Sequence, residues 1–155
     1  MNMDAGWAGW PRTNEESWQR TREFVAYLGG HPAWPAWVRV AESILDALER
    51  DGLDRALRIG TSMHDIIFST LDHHDLRDEP RTTLRIDLDG AHVRISHARV
   101  NVEFAEPDEE VRVPSAQAIP IIRQYLEKLW RETKPDEALP PGLAGAGVPA
   151  STATG

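Results

Sequence analysis

The side chains best able to do chemistry are packed into one stretch, Gly60-Thr-Ser-Met-His-Asp-Ile-Ile-Phe-Ser-Thr-Leu-Asp-His-His-Asp75, which holds three of the six histidines and three aspartates. Imidazole and carboxylate groups are the donors that zinc and manganese sites use, and they are also the usual proton carriers in acid–base catalysis. A candidate metal set is His64, His73, His74 and Asp75. The spacing opposes it. The apolar run Ile66-Ile-Phe68 marks a strand from Met63 to Leu71, and an extended chain of that length separates His64 from His73 by about 30 Å. His64 and Asp65 also point to opposite faces of such a strand. A metal would have to draw on the 72–75 loop and a distant residue such as His31 or His97.

Other reactive arrangements are missing from the sequence. There is no cysteine, so thiol nucleophiles, disulfides and thiolate metal sites are excluded. No Gly-x-Ser-x-Gly elbow and no phosphate-cradling glycine loop occurs. The pairs His64-Asp65 and His74-Asp75 are similar to the His-Asp dyad of HD-type phosphohydrolases, but that family carries its ligands on helices, and Pro80 leaves no room for a helix after the second pair. No catalytic residue and no cofactor is assigned. The alternative that keeps chemistry is a small metal-dependent or acid–base enzyme using the 64–75 cluster.

The elements that would position these residues follow from local pattern. Thr13-Asn-Glu-Glu16 is a capping box that opens a helix carrying Trp18, Phe24, Val25 and Leu28 on one side, with Gly29-Gly30 as its stop through a left-handed cap. Pro35 suits the first position of a second helix, whose apolar face is Val38, Ala41, Ile44, Leu45 and Leu48 and whose stop is Gly52. Leu57-Arg-Ile59 reads as a short strand. Thr82 to Leu88 alternates with Leu84, Ile86 and Leu88 inward, Asp89-Gly90 predicts a two-residue type I′ turn, and Val93 and Ile95 lead the return. At His97-Ala-Arg99 the alternation slips by one, which predicts a bulge within a long strand. Val111-Arg-Val113 is a last short strand, and Ser115 opens a helix with Ile119, Ile122, Leu126, Leu129 and Trp130 in a stripe.

The fold expected is therefore α+β: two N-terminal helices, an antiparallel sheet of four to five strands, and one C-terminal helix packed on the sheet. Residues 1–12 form an arm, 13–133 a single domain, and 134–155, rich in Pro, Gly, Ala, Ser and Thr, a disordered tail. Five of the six tryptophans fall in the first 37 residues. Trp18, Trp37 and Trp130 sit on apolar stripes and are expected in the core, whereas Trp7 and Trp10 either clasp the domain or meet a partner.

With 25 acids against 17 bases, the chain has a formal charge of −8. That balance disfavours nucleic acid, which is held by clustered Lys and Arg; it either simply keeps the chain in solution or suits a basic protein partner. The first residues lack the basic and apolar regions of a signal peptide, and no apolar run reaches membrane-spanning length, so a cytoplasmic location without membrane contact is expected. The outward sheet face (Arg85, Asp87, His92, Arg94, Arg99, Asn101, Glu103) reads as a mixed-charge lattice.

The run from Gly60 to Ser69, the strands Leu84-Arg-Ile and Val93-Arg-Ile, and a closing helix ending Tyr125-Leu-Glu-Lys-Leu-Trp130 resemble, over about residues 56–132, the small acidic immunity proteins of bacterial polymorphic toxin systems. That resemblance implies a non-enzymatic inhibitor that binds a toxin domain. The residues expected to meet such a partner are Asp72, His73, His74, Asp75, Asp78, Glu79, Arg94, Asp108, Glu109 and Glu110.

Overall fold

The computed structural model describes residues 13–70, 80–99 and 107–144. Thr13 begins the first helix, α1 (Asn14–Gly29): its hydroxyl accepts from the Glu16 amide at 3.0 Å, which satisfies one of the donors a helix start leaves open. Trp18, Val25 and Leu28 are buried along α1, and Phe24 is partly so. Gly30 ends it with a φ of −80°, so the glycine pair stops the helix without the left-handed turn its sequence suggests. Helix α2 (Pro35–Arg50) has Pro35 in its first turn and buries Val38, Ala41, Ile44, Leu45 and Leu48. Its stop does use a left-handed glycine, Gly52 at φ 77°, which turns the chain into the single turn α3 (Leu53–Ala56).

Five strands follow in one antiparallel sheet of order β1-β2-β3-β4-β5: β1 (Arg58–Ser62), β2 (Asp65–Ser69), β3 (Arg81–Ile86), β4 (His92–Ala98) and β5 (Glu109–Pro114). A 3₁₀ turn at Ser115–Gln117 leads into α4 (Ala118–Thr133), and α5 (Pro141–Ala144) is one further turn. The chain is thus α+β, with two N-terminal helices, a five-stranded antiparallel sheet and a C-terminal helix on the sheet. The core lies between the helices and one sheet face: Ile59, Ile66, Phe68, Leu84, Ile86, Val93 and Ile95 meet Trp18, Trp37, Leu45, Ile122, Leu126 and Leu129. Trp18, Trp37 and Trp130 are core residues, as their stripes predict. Trp7 and Trp10 lie outside the described residues. Among the described residues no helix is long and apolar enough to cross a membrane.

Four local expectations change. The strand expected from Met63 to Leu71 starts at Asp65, because Met63 and His64 link β1 to β2 as a two-residue hairpin in which Ser62 faces Asp65. Met63 takes a φ of 55°, so the turn is made without glycine or asparagine to announce it. The β3–β4 connection is longer than a type I′ pair: the Gly90 amide donates to the Asp87 carbonyl, and Leu88, expected inward, is 58% exposed at the tip. Gly90 alone takes positive φ there, and a Cβ on it would come within 3.0 Å of the Ala36 carbonyl, so this tip abuts the start of α2. Third, β4 keeps its alternation through Ala98, with His97 inward, and the chain then reverses to pair β5 with β4. Residues 100–106, where the bulged continuation was expected, lie outside the described residues.

The fourth change concerns the tail, which holds its structure through residue 144. Trp130 donates its indole N–H to the Glu137 carbonyl at 3.4 Å, Lys134 lies over the Trp130 ring, and Leu143 is fully buried. A methyl group at Gly142 would collide with the Asp51 carbonyl, so α5 packs hard against the end of α2. Removing three carbons from a buried leucine leaves a cavity, so Leu143→Ala is expected to cost about 2–4 kcal/mol in urea unfolding. A loss below about 0.5 kcal/mol would show that this segment does not dock.

Candidate functional site

The sheet register decides which charged groups share an end. Ala98 faces Arg81 and His97 faces Glu109, so the 70–80 and 99–108 connections both leave from the same end of the sheet. The first contains Asp72, His73, His74, Asp75, Asp78 and Glu79, which lie outside the described residues. Of the second, Asp108 is described: its carboxylate accepts from the Arg99 amide at 2.7 Å. Glu109 pairs with Lys128 of α4, and Glu110 lies 3.7 Å from Arg94 across the strand boundary. The acids expected to meet a partner at 108–110 are therefore also tied to their own domain. These are exposed or half-exposed pairs, whose contribution to stability is small.

Beneath this end, the sheet and α4 enclose a polar chain that sequence reading misses. The His97 ring is fully buried. Its Nδ1 stands 3.3 Å from the Thr82 hydroxyl, and its Nε2 lies 2.9 and 3.2 Å from the two oxygens of Glu132. Arg99 lies 3.8 Å from the same carboxylate, which places it on the helix side and not in the outward lattice. Beside them the Thr70 hydroxyl donates to Thr133, whose own hydroxyl donates to the Leu129 carbonyl at 2.8 Å. The order hydroxyl, imidazole, carboxylate is that of a nucleophile relay. Thr82 and His97 are both enclosed, however, and the same bonds tie α4 to β3 and β4. One signal was available: His97 has the parity of Val93 and Ile95, so simple continuation of the alternation puts it inward.

His64 sits apart from all of this. It lies at the β1–β2 hairpin tip, at the other end of β2 from the 70–80 connection, with its ring 4.1 Å from that of Trp34. Trp34 in turn meets Trp37 edge-on at 5.7 Å. His64 therefore belongs to the turn and not to the strand, and His73, His74 and Asp75 lie outside the described residues. Among the described residues no group of three His, Asp or Glu side chains is placed to hold a metal ion.

The sheet face away from the helices carries the lattice. Asp65 grips Arg85 with both oxygens, each at 2.9 Å, and this hydrogen bond with its charge holds the guanidinium above the usual arginine range. Arg112 pairs with Asp87 at 2.8 Å, and His92 stands 3.9 Å from the same carboxylate. Asn101 and Glu103 lie outside the described residues.

No protein-family model, curated protein or solved structure matches this chain. The buried relay gives the site its first test. Glu132→Ala strips the partner from an enclosed ring nitrogen and is expected to cost about 1–3 kcal/mol in urea unfolding. Glu137→Ala, at an exposed pair, should change stability by less than about 0.5 kcal/mol. Equal effects would contradict a buried clamp at His97.

Proposed function

We propose that this chain is a non-enzymatic protein-binding module of the immunity type, which acts in the cytoplasm by binding and blocking a toxin domain of basic charge. The observation that carries this reading is the sheet register: it makes both acidic connections leave from one end. Residues 71–79 and 100–106 contain six acids and one arginine, which is five of the eight net negative charges of the chain. Asp108, Glu109 and Glu110 follow the second connection in sequence and lead into β5. A one-sided negative field of this kind speeds encounter with a positive surface and orients it before contact. The open sheet face does not compete with that field, because Asp65 and Arg85, Glu110 and Arg94, and Asp87 and Arg112 balance one another.

The resemblance to immunity proteins supports the same reading, since its residues span the sheet and α4. In this reading Asp72, Asp75, Asp78 and Glu79 steer the partner, His73 and His74 add contacts to it, and the buried groups serve only to hold the scaffold rigid.

Co-expression with a toxin-like product of a neighbouring gene is expected to protect cells, and the purified proteins are expected to form a complex whose association rate falls as salt rises. The triple change Asp72→Lys, Asp75→Lys and Asp78→Lys should slow association about tenfold or more while the far-ultraviolet circular dichroism stays unchanged. Absence of both complex and protection would sink the proposal.

A further inference from the structure

We propose that two copies of this chain pair through β5, antiparallel and centred on Val111, to form a two-fold dimer with one continuous ten-stranded sheet. The two edges of the sheet are treated differently. The start of the β1 edge is capped by α1: the Asn14 side chain donates to the Arg55 carbonyl, Trp18 to the Leu57 carbonyl, and the Ser17 hydroxyl accepts from the outward Ile59 amide. At β5 the pairing places Glu109, Val111 and Val113 toward β4, which turns the amides and carbonyls of Glu110 and Arg112 outward. Among the described residues, none covers them.

Charges on an edge strand ordinarily repel an added strand. Here their order selects one. With Val111 opposite its own copy, Glu110 of each chain faces Arg112 of the other, on the same face and at pairs whose backbone groups both point across the join. Shifting the centre to Arg112 or to Glu110 sets like charges against each other. The arginine row supplies a second reason for the same register. Arg85 faces Arg94, and Arg94 faces Arg112, three like charges on adjacent strands. Asp65 bounds the row at the β2 end. At the other end Arg112 already pairs with Asp87, and the second copy's Glu110 would add a second carboxylate beside it.

The helix-side face of β5 points to the same occupant. Val111 and Val113 lie on the core side yet remain only partly buried, unlike Val93 and Ile95 opposite them, which are fully enclosed. Ile121 and Tyr125 of α4 are likewise half-covered. Burial and the charge of Glu109 push the Tyr125 phenol above its usual range, which fits a ring at the margin of the core beside β5. In the dimer the two Val111 side chains meet on the axis, on the helix side of the sheet.

Sedimentation equilibrium on the full chain reads this directly. The expected species has twice the 17.4 kDa chain mass. Glu110→Arg should weaken the dimer at least about tenfold, and Arg112→Glu by a similar factor, because each sets like charges across both symmetry-related pairs. The double exchange Glu110→Arg with Arg112→Glu restores the pairing and should recover the wild-type mass. A wild-type chain that stays monomeric up to its solubility limit would overturn the proposal. So would a dimer that Glu110→Arg leaves intact, or a double exchange that stays monomeric while circular dichroism shows it folded.

Discussion

Trp18 fixes the rest of the molecule in place. Its ring is buried against Phe68, 6.1 Å between centroids, and its indole N–H donates to the Leu57 carbonyl at 2.8 Å. A large apolar body and one satisfied donor together set both the depth and the direction of α1 against the sheet. Ser17 beside it takes the Ile59 amide, and its own hydroxyl donates to the Asn14 carbonyl. One turn of helix thereby caps the start of the β1 edge at Leu57 and Ile59. Helix α2 packs beside α1, with Arg22 pairing to Asp46 and Glu49, and α4 takes the remainder of the same sheet face. Among the described residues, the opposite face and the β5 edge are left without a covering helix.

Charge is distributed to match. Ion pairs join Asp65 to Arg85, Glu110 to Arg94 and Asp87 to Arg112 on the open face, and in sequence five of the eight net negative charges fall in residues 71–79 and 100–106. The proposed steering and the proposed pairing through β5 would then use different parts of the surface. The described part of the most reactive-looking stretch, up to Thr70, builds the fold: Ile66 and Phe68 fill the core, Asp65 anchors Arg85, and the His64 ring lies tilted against Trp34 at the hairpin tip.

Most of the architecture was legible from local pattern. Thr13, Pro35 and Gly52 mark helix ends through backbone chemistry that tertiary packing does not override, and Leu84, Ile86, Val93 and Ile95 alternate because the pleat demands it. What escaped notice depends on contacts distant in sequence. Met63 adopts positive φ because the β1–β2 register requires a two-residue link, and nothing in Ser-Met-His-Asp announces a turn. Leu88 reads as the next inward residue but falls beyond the last pair of the ladder. The segment 134–144 has the composition of a loose tail, yet a single leucine, with Gly142 allowing close approach, docks it onto α2. His97 looked like a disruption of the strand because Ala98 and Val100 break the hydrophobic alternation. Its partner Glu132 lies 35 residues away, and no local signal connects them.

The sheet is asymmetric: α1 caps the start of one edge, and the other is the edge proposed to pair with a second copy. Amide hydrogen exchange followed residue by residue at several protein concentrations tests it most directly. The Ile59 amide should be protected at every concentration, while protection of the Glu110 and Arg112 amides should rise with concentration. Fast exchange at Ile59, or exchange at Glu110 and Arg112 that ignores concentration, would contradict it.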